Sequence, residues 1–227
     1  MPGAVLAARE IGACASARPS CSEATTGVSL TARSFDDHLM RGRVIDLLLR
    51  VRRTPERLLH PLRRRKALEA LRARPRPKTL LAVCHGNICR SPIAAALLGR
   101  ELEPLGIEVE SAGFIGFNRP PPAEAVAAAE CHGVDLSNHR SRLTTPDLVR
   151  AADLIVVMEP IQRRLVCERF GRRPSDVVLL GDFDPAPVET RRIRDPVNES
   201  REVFDKVYER IARCVRELGR VLGSGAG

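Results

Sequence analysis

A cysteine and an arginine six positions apart, Cys84 and Arg90, bracket His85, Gly86, Asn87, Ile88 and Cys89, and Ser91-Pro92 follows at once. A thiolate is a strong nucleophile, and a guanidinium presents a planar fork of donors that matches phosphate oxygens. Gly86 and Asn87 tolerate positive φ, which turns successive backbone N–H groups inward around an anion. The spacing therefore predicts a loop that seats a phosphate dianion over its N–H groups at a helix N-terminus. Cys84 lies beneath for in-line attack, in a field that favours the thiolate, and Arg90 grips the equatorial oxygens. The leaving oxygen needs a proton. Asp184 and Asp195, each followed by proline, are the candidates, and the residues alone leave both open. A zinc site built on Cys84, His85 and Cys89 would want a second ligand pair that the sequence lacks, so neither a metal nor an organic cofactor is expected.

The elements around this loop follow from periodicity. A short apolar run, Leu80–Val83, reads as a buried strand entering the loop, and Ser91-Pro92 opens a helix predicted over 91–102. Strand Ile107–Ser111, helix 122–132, a short stretch at Val134–Asp135, helix 146–151, strand Leu154–Met158, helix 160–170, strand Val177–Leu180 and a last helix from about Ser200 to Leu222 follow in turn. This alternation implies an α/β fold, a three-layer, four-stranded parallel sheet with helices on both faces. In such sheets the ligand sits at the C-terminal strand ends, where the Cys84 loop lies.

The net charge of +9 over 227 residues is unevenly spread. Residues 39–78 hold fourteen Lys and Arg against three Asp and Glu, whereas 1–38 and 79–227 are each within one charge of neutral. Residues 1–38 read as a disordered tail, with a downstream start at Met40 as an alternative. Residues 39–78 read as a basic helical extension and linker, 79–222 as the catalytic domain and 223–227 as a flexible end. Pro75-Arg76-Pro77 marks the linker. The extension could meet an anionic surface or partner, but it has no aromatic residue to stack on bases, which argues against nucleic acid as that partner. No apolar run approaches the ~20 residues of a membrane span. Seven cysteines in no framework spacing point to a reducing, cytoplasmic setting.

Val-Cys-His-Gly-Asn-Ile-Cys-Arg-Ser-Pro at 83–92 resembles the phosphate loop of the low-molecular-weight protein-tyrosine phosphatases, a Cys-x5-Arg loop ending in Gly-Asn-x-Cys-Arg-Ser-Pro. The resemblance runs from about Thr79 to Leu222. It implies a flavodoxin-like, Rossmann-like fold and hydrolysis of phosphotyrosine or a small aryl phosphate through a phosphocysteine at Cys84. It also chooses Asp195 as general acid and then base, because the family's acid precedes the C-terminal helix, which Phe204, Val207, Tyr208, Ile211 and Cys214 resemble; Asp184 is then structural. By the same resemblance Ser91 hydrogen-bonds Cys84, and Asn87 holds the loop with Ser111 and His139. Cys89 either forms a reversible disulfide with Cys84 or fills space, and Phe114 or Phe117 would flank the substrate ring. After Asp195-Pro196 stand Val197 and Asn198 where many relatives carry aromatics. Ile88 is typical of tyrosine-directed members, whereas a threonine there resembles the arginine-phosphate phosphatases. Cys131, Cys167 and Cys214 do not make the redox relay of an arsenate reductase. Those two enzymes, and a phosphate-binding module targeted by its basic arm, are the alternatives.

Overall fold

Strand β1 (Thr79–Cys84) forms the centre of the molecule and is buried along almost its whole length. The computed structural model describes residues 56–224, all within one compact unit, Asp46–Gly227. The tail expected over 1–38, the 39–55 portion of the basic extension and residues 225–227 lie outside the described residues. Around β1 the sheet is completed by β2 (Glu108–Gly113), β3 (Leu154–Val157) and β4 (Val177–Leu179), all parallel, in the order β2-β1-β3-β4. The predicted strand at 107–111 lies one to two residues further on, so that Ser111 and Gly113 pair with Ala82 and Cys84.

Alternate residues of β1 feed two cores, as side chains on a strand must. Leu80, Ala82 and Cys84 join a cluster with helices α2 (Arg90–Leu102), α3 (Ala123–Glu130) and α6 (Arg201–Ser224). Leu81 and Val83 pack against α4 (Pro146–Ala151) and α5 (Pro160–Phe170) through Val149 and Val166. The three expected layers are present. Helix α6 runs to Ser224, two residues beyond its expected end, and buries Phe204, Val207, Tyr208, Ile211, Val215 and Leu218 along one face.

The chain is helical from residue 56 to 72 (α1), and this part of the basic extension is built into the larger hydrophobic core. Leu68 and Leu71 are buried with the α2 and α6 residues. Arg64 pairs with Glu217 of α6 at 2.5 Å, and His60 Nε2 donates to the Asp184 carbonyl at 2.9 Å. No helix among the described residues is long and apolar enough to cross a membrane. Leu71→Ala should destabilise the protein by about 2–4 kcal/mol, the cost of deleting a buried leucine from a core, measured by urea denaturation. An unchanged midpoint would mean that α1 is an appendage.

Candidate active site

The chain leaves β1 at Cys84, turns through 85–89 and enters α2 at Arg90. Asn87 takes φ +51°. Its buried side chain then ties the loop to two neighbouring segments. Nδ2 donates to Ser91 Oγ at 2.9 Å and to Ser111 Oγ at 3.0 Å, while Oδ1 accepts from the Arg142 N–H at 2.9 Å. His139 Nε2 donates to the Asn87 carbonyl at 2.8 Å. On the far side of the loop the His85 carbonyl accepts from the N–H groups of Phe114 and Ile115. Gly113 is required beneath it, because a Cβ there would lie 2.7 Å from the Asn87 nitrogen.

Within this frame Cys84 Sγ accepts from the Asn87 N–H at 3.2 Å and from Ser91 Oγ at 3.1 Å, donors that steady negative charge on sulfur. Burial, reinforced by Cys84 beside it, pushes the Cys89 thiol well above the ordinary cysteine range, so Cys89 rests protonated beside Cys84. Tyr208 of α6 donates from its hydroxyl to the Cys89 carbonyl at 3.1 Å, and burial pushes its own pKa up.

Arg90 is almost fully buried and held on three sides. Nη1 donates to Glu159 Oε1 at 2.6 Å and to the Ile193 carbonyl at 3.0 Å, and Nη2 pairs with Asp195. Its Nε is buried without a hydrogen-bond partner, which is a donor in place for an oxyanion. Asp184 lies elsewhere, fully buried against Arg210 and Arg213 of α6. The two Asp-Pro pairs are thus separated, and Asp195 is the one at the loop.

These residues open onto a pocket of about 110 Å³ lined by Cys84, Arg90 and Asp195 and walled by Ile115, Arg119 and Val197. Phe114 packs into the second core and Phe117 is exposed, so neither expected aromatic lines the pocket. Ile88 and Cys89 do line it. Three contributors escaped the sequence reading. Glu159 caps α5 through a reciprocal bond with Gln162 while accepting from Arg90. Arg142 Nε donates to the Ser111 carbonyl at 2.6 Å. Arg119 extends its guanidinium over Gly86 and Gly116, close enough that a Cβ on either would collide with it, and has no carboxylate partner among the described residues. A capping box at Glu159-x2-Gln162 was legible in the sequence, but nothing local pointed it at Arg90.

Comparison with known proteins agrees with this geometry. Residues 79–224 match the family described as low molecular weight phosphotyrosine protein phosphatase. The probable low molecular weight protein-tyrosine-phosphatase EpsP of Ralstonia nicotianae is 41% identical over 139 residues, covering 61% of this chain and 91% of that protein. In structure, the tyrosine phosphatase amsI of Erwinia amylovora superposes with a TM-score of 0.57 at 31% identity, over 63% of this chain and 91% of its own. The YwlE arginine phosphatase of Geobacillus stearothermophilus does so with 0.58 at 28%, over 65% and 94%.

Burial holds the His139 pKa below the ordinary histidine value, with Arg142 and Arg140 adding to the effect and the bond to Asn87 opposing it. The folded loop thus prefers the neutral ring. The corresponding stability is present above the unfolded value of about 6.5 and is lost as pH falls through the lower folded value. The thermal stability of the wild type should fall over that acid range, and that of His139→Gln, which still offers a donor, should fall less. Parallel curves for the two proteins would exclude His139 as a source of acid sensitivity.

Proposed function

The chain belongs to the low molecular weight phosphotyrosine protein phosphatase family, and from that premise we propose that it hydrolyses phosphotyrosine in protein, and small aryl phosphates, through a phosphocysteine at Cys84. The observation that carries this reading is the meeting of Cys84 Sγ, Arg90 and Asp195 in one narrow pocket. A phosphate seated there takes the unpartnered Arg90 Nε and the Nη2 that now holds Asp195. Asp195 is thereby released toward the leaving group.

In the first step Cys84 Sγ attacks phosphorus, the P–O bond to the aryl group breaks, and protonated Asp195 delivers its proton to the departing oxygen. In the second, the Asp195 carboxylate takes a proton from water, the oxygen of that water attacks phosphorus, and the S–P bond breaks. Ser91 and the Asn87 N–H steady the returning thiolate. Every role falls to a side chain or backbone group, so the scheme calls for no metal or organic cofactor. Cys84 sits at the pocket floor, 2% exposed, a depth that favours the long reach of an aryl phosphate over the short one of phosphoserine. Ile88 supports the tyrosine-directed reading over the arginine-directed one. Free cysteines at Cys84, Cys89 and Cys214 suit work in the reducing cytoplasm.

Two tests apply. Wild type should hydrolyse p-nitrophenyl phosphate and phosphotyrosine peptides, with phosphoarginine peptides at least tenfold poorer in kcat/KM. Cys84→Ser should abolish turnover and Asp195→Ala should slow it roughly 10²–10⁴-fold. Reducing conditions without turnover would demote the loop to an anion cradle. Separately, Arg119 should favour acidic residues beside the phosphotyrosine. Arg119→Ala should reduce kcat/KM for a peptide with flanking Asp or Glu about two- to fivefold, an exposed charge contact of typical size. The p-nitrophenyl phosphate rate should stay unchanged, and an equal loss on both substrates would assign Arg119 to loop support instead.

A further inference from the structure

At the end of the sheet away from Cys84, where the strands begin, the segment leading into β1, the end of α4 and the turn after α5 border a second cavity, a broad cleft open to solvent, of about 650 Å³. Six cationic side chains line it, Arg74, Arg76, Lys78, Arg150, Arg172 and Arg173, against two carboxylates, Asp153 and Asp176. Both carboxylates are already committed. Asp153 Oδ2 accepts from the N–H groups of Lys78 at 2.7 Å and Thr79 at 3.2 Å, fixing the entry of β1. Buried Asp176 is shared among three guanidinium groups, with Arg173 at 3.1 Å, Arg172 at 3.6 Å and Arg74 at 4.0 Å.

The cations are correspondingly under-compensated. The side chains of Arg76 and Lys78 have no partner among the described residues, and Arg150 has only the exposed Asp147. Arg74 and Arg172 are held in place by the Asp153 and Ala152 carbonyls. Their side chains are only 18% and 19% exposed, and each has a buried Nε with no hydrogen-bond partner. Burial lowers the Arg74 pKa, with Arg172 and Arg173 adding to the effect and Asp176 and Asp153 opposing it. Like charges gathered at one concavity cost free energy unless an anion joins them. Guanidinium forks match the paired oxygens of carboxylate and phosphate alike, and a phosphate brings more negative charge per group to an excess of cations.

We propose that this cavity binds a polyphosphate-type oxyanion, two or more linked or clustered phosphate groups, at a site separate from the catalytic pocket. One phosphate dianion would leave half of the excess charge unmatched, and the cavity is several times larger than the substrate pocket. Arg74, Arg76 and Lys78 belong to the basic segment that sets the chain's net charge, so that basicity acquires a ligand. Because Asp153 ties the cavity wall to the first residue of β1, a bound anion also steadies the strand that carries Cys84.

The ligand could be a free polyphosphate chain or the head groups of phosphate-bearing lipids, and the test separates these. Full-length ¹⁵N-labelled protein is titrated with sodium tripolyphosphate and, in parallel, with orthophosphate. Saturable amide shifts are expected at 74–79, 150–153 and 171–176, with a midpoint distinct from shifts at 85–91, and with orthophosphate at least tenfold weaker at the first set. Arg76→Gln/Lys78→Gln should weaken that first set at least tenfold while leaving kcat/KM for p-nitrophenyl phosphate unchanged. Co-sedimentation with phosphatidylglycerol vesicles, competed by tripolyphosphate, would make the lipid head group the source. Tripolyphosphate binding without co-sedimentation would make it the free chain. Shifts confined to 85–91, shifts that never saturate, or shifts unaltered in the double variant would overturn the proposal. A catalytically dead protein that still binds tripolyphosphate at 74–79 would refute the enzyme reading and leave this site standing.

Discussion

The buried guanidinium of Arg90 is the constraint from which the geometry of the site follows. A charge removed from water has to be compensated on the spot, and removing one partner of a buried pair costs far more than a surface ion pair is worth. Compensation comes from Glu159 at the start of α5, from the Ile193 carbonyl and from Asp195. These three groups lie 69, 103 and 105 residues beyond Arg90. They are brought together because parallel strands deliver all their following loops to the same end of the sheet. Satisfying Arg90 thus brings Asp195, the proposed acid, to the pocket that Cys84 lines.

Asn87 does for shape what Arg90 does for charge. Its left-handed backbone and four tethers fix the curve of residues 85–89, and for the proposed reaction that is preorganisation in the electrostatic sense. Support is layered outward. Gly113 lets β2 approach the loop, Tyr208 fastens α6 to it, and α1 in turn packs on α6. The described part of the segment read as a basic helical extension is therefore continuous with the packing behind Cys84.

Charge is divided along β1. At its C-terminal end the buried Arg90 is surrounded by carboxylates and a carbonyl, whereas at its N-terminal end arginines outnumber the carboxylates between them. The first arrangement suits reversible capture of one phosphoryl group. The second suits retention of a larger anion.

The sequence by itself determined what is local. Cys84, Arg90, Ser91 and Asn87 lie within eight residues, and the chemistry of an anion loop between strand and helix needs nothing more distant to be recognised. The alternation of apolar strands with helices likewise carried the layered fold, since period and burial go together. Choosing between Asp184 and Asp195 was beyond the residues themselves, and there the family resemblance supplied the choice. Only the tertiary structure decided which long-range partners each group meets. Asp184 is paired with α6 and Asp195 with Arg90 because the strand order β2-β1-β3-β4 and the path of 180–200 set distances that no spacing encodes. The same holds for Ile115 in place of Phe114 or Phe117 at the pocket wall, for Glu159 and Arg119, and for the burial of Leu68 and Leu71. In each case the side chain's environment is made by elements far away in the chain.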